Sequence, residues 1–424
     1  MAESPTILIV NRRYFHSSGP ERYMFEITKI LERNGYTVAP FSVKRKQNLQ
    51  SEYARYFVES PYGEDTLYFN DARFTVLQKL KIFCNCVYSF EAKRQMKRIL
   101  RDKKIDAVYL LGIVNDISPS ILHACRAAGV PVIMRLSDYN LLCGNYVFLR
   151  DGKECRLCVT KGPFQCVKHA CVKKQFLPSF ARALSMKVHN LLRIYDAVDY
   201  FVCPSRFMYE SMRDAGYEEK KLRVINSFLA PEGYEPYYEN DGYILYFGRI
   251  AHEKGLDCLI DALGALDAPP PLYLVGEPSE SDYLESLKAR IAALGVSHVT
   301  FFGFKSGVEL KKIIRGAKFV VVPSICADNS PMSTIEAMAL GKPVIASRVG
   351  GIPDQVTDEC GILFEAGNAK ELGKMIHELW NDDTEVARMG RNARRAFELK
   401  FSPEAHFAQL NELFQEVLHK RRKK

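Results

Sequence analysis

The stretch of sequence that decides the fold is Asp328-Asn329-Ser330-Pro331-Met332-Ser333-Thr334-Ile335-Glu336-Ala337-Met338-Ala339. It follows residues 318–323, a short apolar run rich in β-branched residues that predicts a buried parallel strand. From Ser333 the apolar residues recur at helical spacing, and Gly341 marks the end of the predicted helix. A strand that turns into a helix at the carboxyl edge of a sheet presents backbone N–H groups and a positive dipole end to an anion. The stretch therefore predicts a phosphate-binding site with two carboxylates, Asp328 and Glu336, beside it.

The length and composition predict two domains. The chain has 424 residues, of which 47% are hydrophobic, and this is enough to bury two substantial cores. No run approaches the roughly 20 apolar residues that a membrane-spanning helix needs. The first residues lead directly into an apolar run at 6–10, which leaves no room for a signal peptide. We therefore expect the protein to be cytoplasmic.

The net charge of +9 is concentrated in the first half of the chain. Residues 1–240 carry 36 Lys and Arg against 25 Asp and Glu, whereas the remainder carries 23 against 25. The basic clusters are residues 12–13, 44–46, 93–98, 103–104 and, separately, 420–424. Such clusters attract anionic lipid headgroups or nucleic acid, and composition alone does not separate these partners from an ordinary solvated surface.

Strand-like and helix-like segments alternate through both halves of the chain. The apolar runs that predict strands are residues 7–10, 36–41, 107–111, 130–134 and 200–203, then 243–247, 272–275, 299–302, 318–322 and 343–346. This alternation predicts parallel sheets covered by helices on both faces, so each half is expected to be a doubly wound α/β domain. Residues 230–236, punctuated by Pro and Gly, form the predicted linker.

Two cations, Arg249 and Lys254, follow a predicted buried strand and precede a predicted helix, so both can reach the carboxyl edge of the sheet. Cations are unfavourable at a helix N-terminus unless an anion lies there. A leaving diphosphate gains negative charge as its bond to a sugar breaks, and fixed cations stabilise that transition state more than the ground state. The alternative is that both are ordinary surface residues.

Several motifs resemble those of retaining GT-B glycosyltransferases of family 4. They are residues 248–255, Gly276, 303–304, 328–336 and 350–354 in the second half, and 18–22, 117–120, 137–139 and 204–207 in the first. The resemblance implies two Rossmann-like domains facing each other across a cleft. Residues 1–232 would bind the acceptor and residues 240–402 the donor nucleotide, followed by a C-terminal helix and basic tail at 403–424.

The resemblance also implies an activity. It implies a hexosyltransferase-type enzyme that moves a sugar from a UDP- or GDP-sugar to a glycan or lipid-linked acceptor with retention of anomeric configuration, in cell-surface polysaccharide biosynthesis. The nucleotide-sugar is a co-substrate, and no cofactor is required for catalysis. Together with the basic first half, a lipid-linked acceptor implies a peripheral location at the cytosolic face of an anionic membrane.

Roles at the donor site follow from the resemblance. Arg249 and Lys254 would stabilise the leaving diphosphate, Glu336 would bind the ribose and Asp328 would orient the transferred sugar. Asp328 is one methylene shorter than the Glu that relatives usually carry, which leaves its reach and the identity of the sugar open. Further donor contacts are implied for Gly19, Gly248, Gly303, Phe304, Asn329, Ser330, Pro331 and Met332.

The motifs of the first half are individually weaker. Gly19 would let the backbone approach the donor closely, but an ordinary turn, with Ser18 capping the next helix, explains it equally well. Ser137, Asp138 and Tyr139 are expected on the acceptor side. Many relatives carry His where this chain has Ser137, so a proton transfer through His is not expected here. Asp138 can contact the acceptor or cap the following segment.

Five of the twelve cysteines lie between Cys143 and Cys171, in an insertion at about residues 143–175 that the resemblance assigns to the acceptor side. The predicted metal ligands are Cys155, Cys158, Cys166 and Cys171. In a cytosolic chain this spacing favours a metal over disulfides, and four thiolates can close a structural zinc site. Reduced thiols without metal, or an iron–sulfur cluster, are the alternatives.

Two other classes of function remain open at this point. A GT-B isomerase or phosphorylase would bind a similar donor without passing the sugar to an acceptor. Alternatively, the cysteines and the basic surface would mark a zinc-containing nucleic-acid-binding protein with a decayed donor site. The intact Arg249, Lys254 and Glu336 argue against the last reading, so no nucleic-acid partner is expected.

Overall fold

The computed structural model describes residues 4–17, 19–60, 63, 75–114 and 116–422. Within these residues the strands are β1 (Thr6–Asn11), β2 (Thr37–Phe41), β3 (Ala107–Gly112), β4 (Val132–Arg135), β5 (Leu149–Arg150), β6 (Lys153–Glu154), β7 (Tyr200–Cys203), β8 (Leu222–Val224), β9 (Ile244–Phe247), β10 (Leu272–Val275), β11 (Val299–Phe301), β12 (Phe319–Val322), β13 (Val344–Ser347) and β14 (Gly361–Phe364).

The helices alternate with these strands. They are α1 (Gly19–Arg33), α2 (Val76–Val87), α3 (Phe90–Asp102), α4 (Ser120–Ala127), α5 (Leu157–Lys161), α6 (Gln165–Lys168), α7 (Phe176–Leu191), α8 (Arg206–Asp214), α9 (Leu256–Gly264), α10 (Ser281–Ala293), α11 (Gly307–Gly316), α12 (Met332–Ala339), α13 (Ile352–Gln355), α14 (Ala369–Trp380), α15 (Asp383–Lys400) and α16 (Pro403–Arg422). None of the helices that the structure describes is long and apolar enough to span a membrane.

The strands form two six-stranded parallel sheets. The first has the order β2-β1-β3-β4-β7-β8 and the second the order β11-β10-β9-β12-β13-β14. Each sheet carries buried clusters of apolar side chains on both faces. The prediction of two doubly wound α/β domains is therefore confirmed, and we call them the first and the second domain after their sheets.

The sequence explains these strands well, because an interior parallel strand is buried on both faces. All four residues of β12 are buried, as are those of β4, β7, β9 and β13. The edge strands β8 and β14 were not predicted. β8 has only three residues and β14 begins with a glycine, so neither gives a clear apolar run.

The cysteine-rich insertion has its own secondary structure. It leaves the carboxyl end of β4, forms the antiparallel pair β5–β6 and continues through α5 and α6 into α7. The sequence did not predict these short elements, because segments of two to five residues show no measurable periodicity.

The chain crosses between the two domains twice, and the crossings lie side by side. The backbone N–H of Leu229, on the first crossing, donates to the carbonyl of Phe401, on the second, at 3.0 Å. After the second crossing α16 packs against the first domain. Its buried apolar residues are Leu410, Leu413, Phe414, Val417 and Leu418. His406 lies at the start of this contact, where its ring nitrogens bond to the Tyr23 hydroxyl at 2.8 Å and the Asn226 carbonyl at 2.7 Å.

Candidate functional site

The candidate site lies where the strand order of the second sheet reverses direction. β9 and β12 are neighbours in the sheet, but the helices that follow them are far apart in the sequence. Ligands of open α/β sheets bind in the crevice outside the carboxyl ends of two such strands. The loop after β9 carries Arg249 and Lys254, and the loop after β12 carries Asp328 and leads into α12 with Glu336. The fold thus brings all four predicted catalytic residues to one edge of the sheet.

Lys254 and Asp328 form the centre of this edge. The Lys254 Nζ lies 2.7 and 2.8 Å from the two carboxylate oxygens of Asp328, and the Ser324 hydroxyl donates to the same carboxylate at 2.6 Å. Burial alone would lower the pKa of Lys254, but the neighbouring Asp328 outweighs it, so the pKa is raised and the ammonium stays charged. A fixed positive charge therefore stands at the carboxyl edge of the sheet.

A glycine makes this arrangement possible. Gly255 has a φ of +68°, and a Cβ there would lie 2.0 Å from the carbonyl oxygen of Pro323. Any other residue would push the loop after β9 away from the loop after β12. Gly255 therefore holds Lys254 within reach of Asp328.

Arg249, the second predicted cation, is oriented differently. Its side chain is 61% exposed, pairs with Glu253 at 2.8 Å and donates to the Ser279 hydroxyl at 3.3 Å. A long exposed side chain reorients at little cost, because surface ion pairs contribute about 1 kcal/mol or less. In this conformation Arg249 lies at the rim of the site, whereas Lys254 lies inside it.

Glu336 is buried and paired across the cleft. Its Oε1 accepts a hydrogen bond from Nη1 of Arg22, in α1 of the first domain, at 2.7 Å. Nη2 of Arg22 also donates to the Tyr234 hydroxyl at 3.3 Å. Burial raises the pKa of Glu336, and the charge of Arg22 opposes that rise. A ribose that bound Glu336 would have to share or replace the contact with Arg22.

The loop between these two carboxylates connects the domains. The Asn329 side chain accepts from the Ser205 hydroxyl at 2.9 Å and donates to the Leu136 carbonyl at 2.9 Å, and both partners lie in the first domain. Ser330 accepts a hydrogen bond from Gln355 at 2.9 Å. Pro331 is the N-cap residue of α12 and Met332 its first residue, so the start of this helix faces the crevice. Both of these hydrogen bonds of the Asn329 side chain are therefore made to the first domain.

Gly351 allows the same loop to pack closely. A Cβ at this position would lie 1.9 Å from the Asn329 carbonyl oxygen and 2.6 Å from the Ser205 Cβ. Nearby, the Asp354 carboxylate accepts from the Arg206 backbone N–H at 2.5 Å. The motifs at 204–207 and 350–354 therefore meet each other at the domain interface.

Two other predicted donor-side glycines lie in turns with positive φ. Gly248 has a φ of +148°, and the adjacent Gly276 approaches it so closely that a Cβ on Gly276 would lie 1.8 Å from the Gly248 carbonyl oxygen. Gly303 has a φ of +65° and open space around it, and the following Phe304 is exposed. An exposed aromatic ring beside an open turn offers a surface on which a planar base could stack.

In the first domain the predicted residues lie at separate places. Gly19 is the first residue of α1, and among the described residues no atom lies within 4 Å of the place that a Cβ would take; Ser18 lies outside the described residues. Ser137 accepts a hydrogen bond from the buried Arg135 at 2.9 Å. The exposed Asp138 accepts from the Asn140 backbone N–H at 2.8 Å. Of the two roles considered for Asp138, this contact corresponds to capping of the following segment.

Tyr139 packs in the core beneath the cleft. Its ring lies 4.6 Å from that of Phe148 and 5.8 Å from that of Phe207. Among the residues that the structure describes, its buried hydroxyl has no hydrogen-bond partner. Burial raises the pKa of Tyr139 well above its ordinary value, and the nearby Asp328 adds to the rise. Tyr139, which was predicted on the acceptor side, is therefore a buried residue close to Asp328.

The four predicted metal ligands are only partly brought together. All twelve cysteines are free thiols, and across the described ranges no three His, Cys, Asp or Glu side chains are grouped so as to hold a metal ion. Cys166 donates to Cys158, and this hydrogen bond lowers the pKa of the Cys158 thiol. The geometry does not fit the predicted tetrahedral zinc set, so no role is assigned to a metal.

Three residues at the site were not singled out from the sequence: Arg22, Ser324 and Tyr234. Arg22 lies within the quoted motif at 18–22, but nothing in the sequence connects it to Glu336, 314 positions away. Ser324 directly follows the predicted strand and its proline, so its position at the sheet edge was a usable signal. Tyr234 lies in the predicted linker and is buried. An aromatic residue within an otherwise polar stretch was a usable signal for it.

Known proteins share this architecture. Sucrose-phosphate synthase from Thermosynechococcus elongatus superposes with a TM-score of 0.69 at 19% identity, covering 98% of this chain and 100% of that one. HepE from Anabaena, solved in complex with UDP, gives a TM-score of 0.65 at 17% identity over 97% of this chain and 100% of its own. At such identities the likeness concerns the fold, and the fold of this chain is GT-B.

The chain has recognisable relatives in sequence as well. The family described as "Glycosyl transferases group 1" matches residues 235–396. An uncharacterised glycosyltransferase of Methanocaldococcus jannaschii is 30% identical over 221 residues, 52% of this chain and 60% of that protein. D-inositol 3-phosphate glycosyltransferase of Segniliparus rotundus is 34% identical over 154 residues, 35% of this chain and 34% of that protein. The chain thus spans between one third and three fifths of the length of these relatives, and the match to the group 1 glycosyltransferase family lies in its second domain.

Proposed function

We propose that the protein is a retaining glycosyltransferase that transfers a sugar from a UDP- or GDP-sugar to a glycan or lipid-linked acceptor. The observation that carries the proposal is the convergence of Lys254, Asp328 and Glu336 at the switch point of a group 1 glycosyltransferase domain. Asp328 and Lys254 face the place where a sugar diphosphate would lie, and Glu336 lies farther along α12. UDP donors are the first to test, because HepE was solved with UDP and with UDP-glucose.

In the proposed reaction the bond between the sugar carbon and the diphosphate oxygen breaks while the acceptor oxygen bonds to the same carbon. The departing diphosphate takes the negative charge, which the Lys254 ammonium stabilises, with Arg249 joining from the rim. Lys254 is already held by Asp328, so it needs little reorganisation. Ser137 is not a base, and the proton of the acceptor passes to the departing phosphate oxygen.

Asp328 has a second task in this proposal. Its carboxylate holds Lys254 and accepts from Ser324, so the free side of its oxygens is left for hydroxyl groups of the sugar. Because the acid is one methylene shorter than Glu, the sugar must lie closer to the loop after β12. We propose that this shortened reach selects the sugar. Glu336 binds the ribose after Arg22 yields one of its contacts.

We further propose that the acceptor is carried by a lipid and that the enzyme acts peripherally at the cytosolic face of a membrane, in cell-surface polysaccharide biosynthesis. The basic excess of residues 1–240 supports this location, because a cation near an anionic surface contributes about 1 kcal/mol. Relatives include an amylovoran biosynthesis glycosyltransferase of Erwinia amylovora, 25% identical over 224 residues, 50% of this chain and 55% of that protein.

The test has two stages. Nucleoside diphosphates and their sugars are screened by thermal unfolding, because a ligand at 100 times its Kd stabilises the native state by about 2.7 kcal/mol. We expect UDP or GDP to stabilise the protein, with the corresponding sugar nucleotide as donor. Release of the nucleoside diphosphate is then measured with and without glycan or lipid acceptors, and we expect release to require the acceptor. Binding without acceptor-dependent release would favour an isomerase or phosphorylase, and no binding would refute the proposal.

A further inference from the structure

An exposed patch of large apolar side chains lies on the cysteine-rich insertion. Its members and their exposed fractions are Phe164 (45%), Phe176 (62%), Leu177 (74%) and Phe180 (40%). The rings of Phe176 and Phe180 stack with their centroids 6.1 Å apart, and the Phe164 ring lies 6.4 Å from that of Phe180. These residues form one contiguous group, which we call the aromatic patch. Contiguous exposed apolar groups mark interaction surfaces more often than scattered ones do.

The aromatic patch is firmly held on the first domain. Cys166 is fully buried and its sulfur lies 3.4 Å from the Ser179 carbonyl oxygen, while the Ser179 hydroxyl accepts from the Val172 N–H at 3.0 Å. A Cβ on Gly144 would lie 2.8 Å from the Cys166 sulfur, so this base is close-packed. Arg182 of α7 also donates to the Asn140 carbonyl, next to the predicted acceptor residues. The patch is therefore a fixed projection on the acceptor side.

The segment of the chain that carries the aromatic patch is basic. Residues 155–195 contain no Asp or Glu. Their basic residues are Arg156, Lys161, Lys168, Lys173, Lys174, Arg182, Lys187 and Arg193. Lys168, Lys173 and Lys174 are exposed in the segment that leads from α6 to α7. Exposed aromatic and aliphatic side chains rimmed by lysines match the requirements of an anionic membrane surface, which takes the apolar groups below its headgroups and attracts the cations.

We propose that the aromatic patch is the surface by which this protein docks on an anionic lipid membrane, with Phe176 and Leu177 inserted and the lysines on the headgroups. The choice of a membrane rests on the lipid-linked acceptor of the proposed function. Two other partners fit less well. A second copy of the chain would bring two surfaces of the same charge together, and single-stranded nucleic acid would gain nothing from Leu177, which cannot stack on a base.

The experiment measures co-sedimentation of the full chain with vesicles of phosphatidylcholine alone and of phosphatidylcholine mixed with phosphatidylglycerol. We expect binding to the mixed vesicles only, weakened by salt. Phe176→Ser with Leu177→Ser should weaken binding at least tenfold, because both side chains lose apolar burial. Lys168→Gln with Lys174→Gln should weaken it about thirtyfold, from two lost cations at the surface.

Matched variants elsewhere give the control. Leu399→Ser removes a leucine that is 65% exposed on α15 of the second domain, and Lys220→Gln with Lys288→Gln removes two lysines outside the patch. These variants should bind vesicles like the wild type. Wild-type binding by the patch variants, or no vesicle binding by the wild-type chain, would overturn the proposal. So would a dimer, or a complex with single-stranded DNA, that the patch variants abolish.

Thermal stabilisation by UDP and GDP is measured on the same samples. The patch variants should keep the wild-type response, which shows that they are folded and that the donor site is intact. If no nucleotide binds any variant while vesicle binding follows the patch, the proposed donor site fails and the docking surface stands. If a nucleotide binds but vesicles do not, the reverse holds.

Discussion

The carboxyl edges of the two sheets differ in how far their side chains are already held by hydrogen bonds and close packing. At the edge of the second domain, Lys254 and Ser324 both donate to the Asp328 carboxylate, and Gly255 and Gly351 allow the loops to approach closely. At the edge of the first domain, the Ser137 hydroxyl accepts from Arg135 and donates to the Leu111 carbonyl, and Asp138 accepts from Asn140, so these bonds stay within that domain. An insertion with exposed apolar side chains follows them in the chain.

This difference suggests a division of labour. In the proposed reaction the leaving group is always a diphosphate, so a cation held in advance where it leaves favours the reaction with any acceptor. The acceptors of such reactions vary, and the proposed acceptor side of the cleft carries surface features such as the aromatic patch. The two edges should therefore respond to mutation in different ways.

The largest effect is expected at the centre of the donor edge. Lys254→Ala removes the cation and leaves Asp328 without its partner, so turnover should fall about a hundredfold, which corresponds to about 2.7 kcal/mol of transition-state stabilisation. Steady-state rates of nucleoside diphosphate release measure it. Lys288→Ala, on α10, is the control and should leave the rate unchanged. A Lys254→Ala enzyme with the wild-type rate would remove Lys254 from the leaving-group site.

The next effect is expected where the two edges meet. Asn329→Ala removes the hydrogen bonds to Ser205 and to the Leu136 carbonyl, which should lower the free energy of unfolding by about 2 kcal/mol. Denaturant unfolding measures it. Asn381→Ala, which removes an exposed hydrogen bond on the second domain, should cost less. Equal losses in the two variants would mean that the Asn329 contacts do not join the domains.

A smaller loss is expected at the rim of the donor edge. Arg249→Ala should lower turnover about tenfold, or about 1.4 kcal/mol, because Arg249 must first leave Glu253 and Ser279. Glu253→Gln releases this restraint and should not lower the rate. If Arg249→Ala were as damaging as Lys254→Ala, the two cations would be equally preorganised and the contrast between rim and centre would fail.

The stability of the first domain should depend on pH through His406. Burial lowers the pKa of His406 to about 3, whereas an unfolded His titrates near 6.5. Between these values the unfolded chain binds one more proton, so stability is complete above about pH 6.5 and falls as the pH drops, by up to about 1.4 kcal/mol per pH unit. His406→Gln should flatten this dependence in denaturant unfolding at pH 7 and pH 5. His419→Gln, on the exposed side of α16, should not.

The smallest effect is expected at the acceptor edge. Ser137→Ala removes a hydroxyl bonded to Arg135 and leaves the donor edge untouched, so turnover should change by less than about threefold. The same assay as for Lys254→Ala measures it. A tenfold loss would show that Ser137 takes part in the chemistry, and the two edges would then be more alike than proposed.

Much of the fold was predictable because interior parallel strands such as β9 and β12 are apolar throughout, and the positions of Lys254 and Asp328 followed from the loops after them. Their ion pair was not predictable, because it joins residues 74 positions apart. The sequence had assigned each of them to a different part of the donor, Lys254 to the diphosphate and Asp328 to the sugar. The pairing of Arg22 with Glu336 and the return of α16 to the first domain depend on how the two domains pack. The periodicity of apolar residues predicts strands and helices but does not predict contacts between domains.

The paired crossings at Leu229 and Phe401 have a mechanical consequence. Because the two connections lie side by side, we expect one domain to rotate relative to the other about a single axis and to resist twisting about other axes. We therefore expect any opening of the cleft to keep the carboxyl edges of the two sheets aligned. Removing the chain beyond residue 402 would also remove the contact of α16 with the first domain. We expect the two domains of that shortened chain to twist more freely relative to each other.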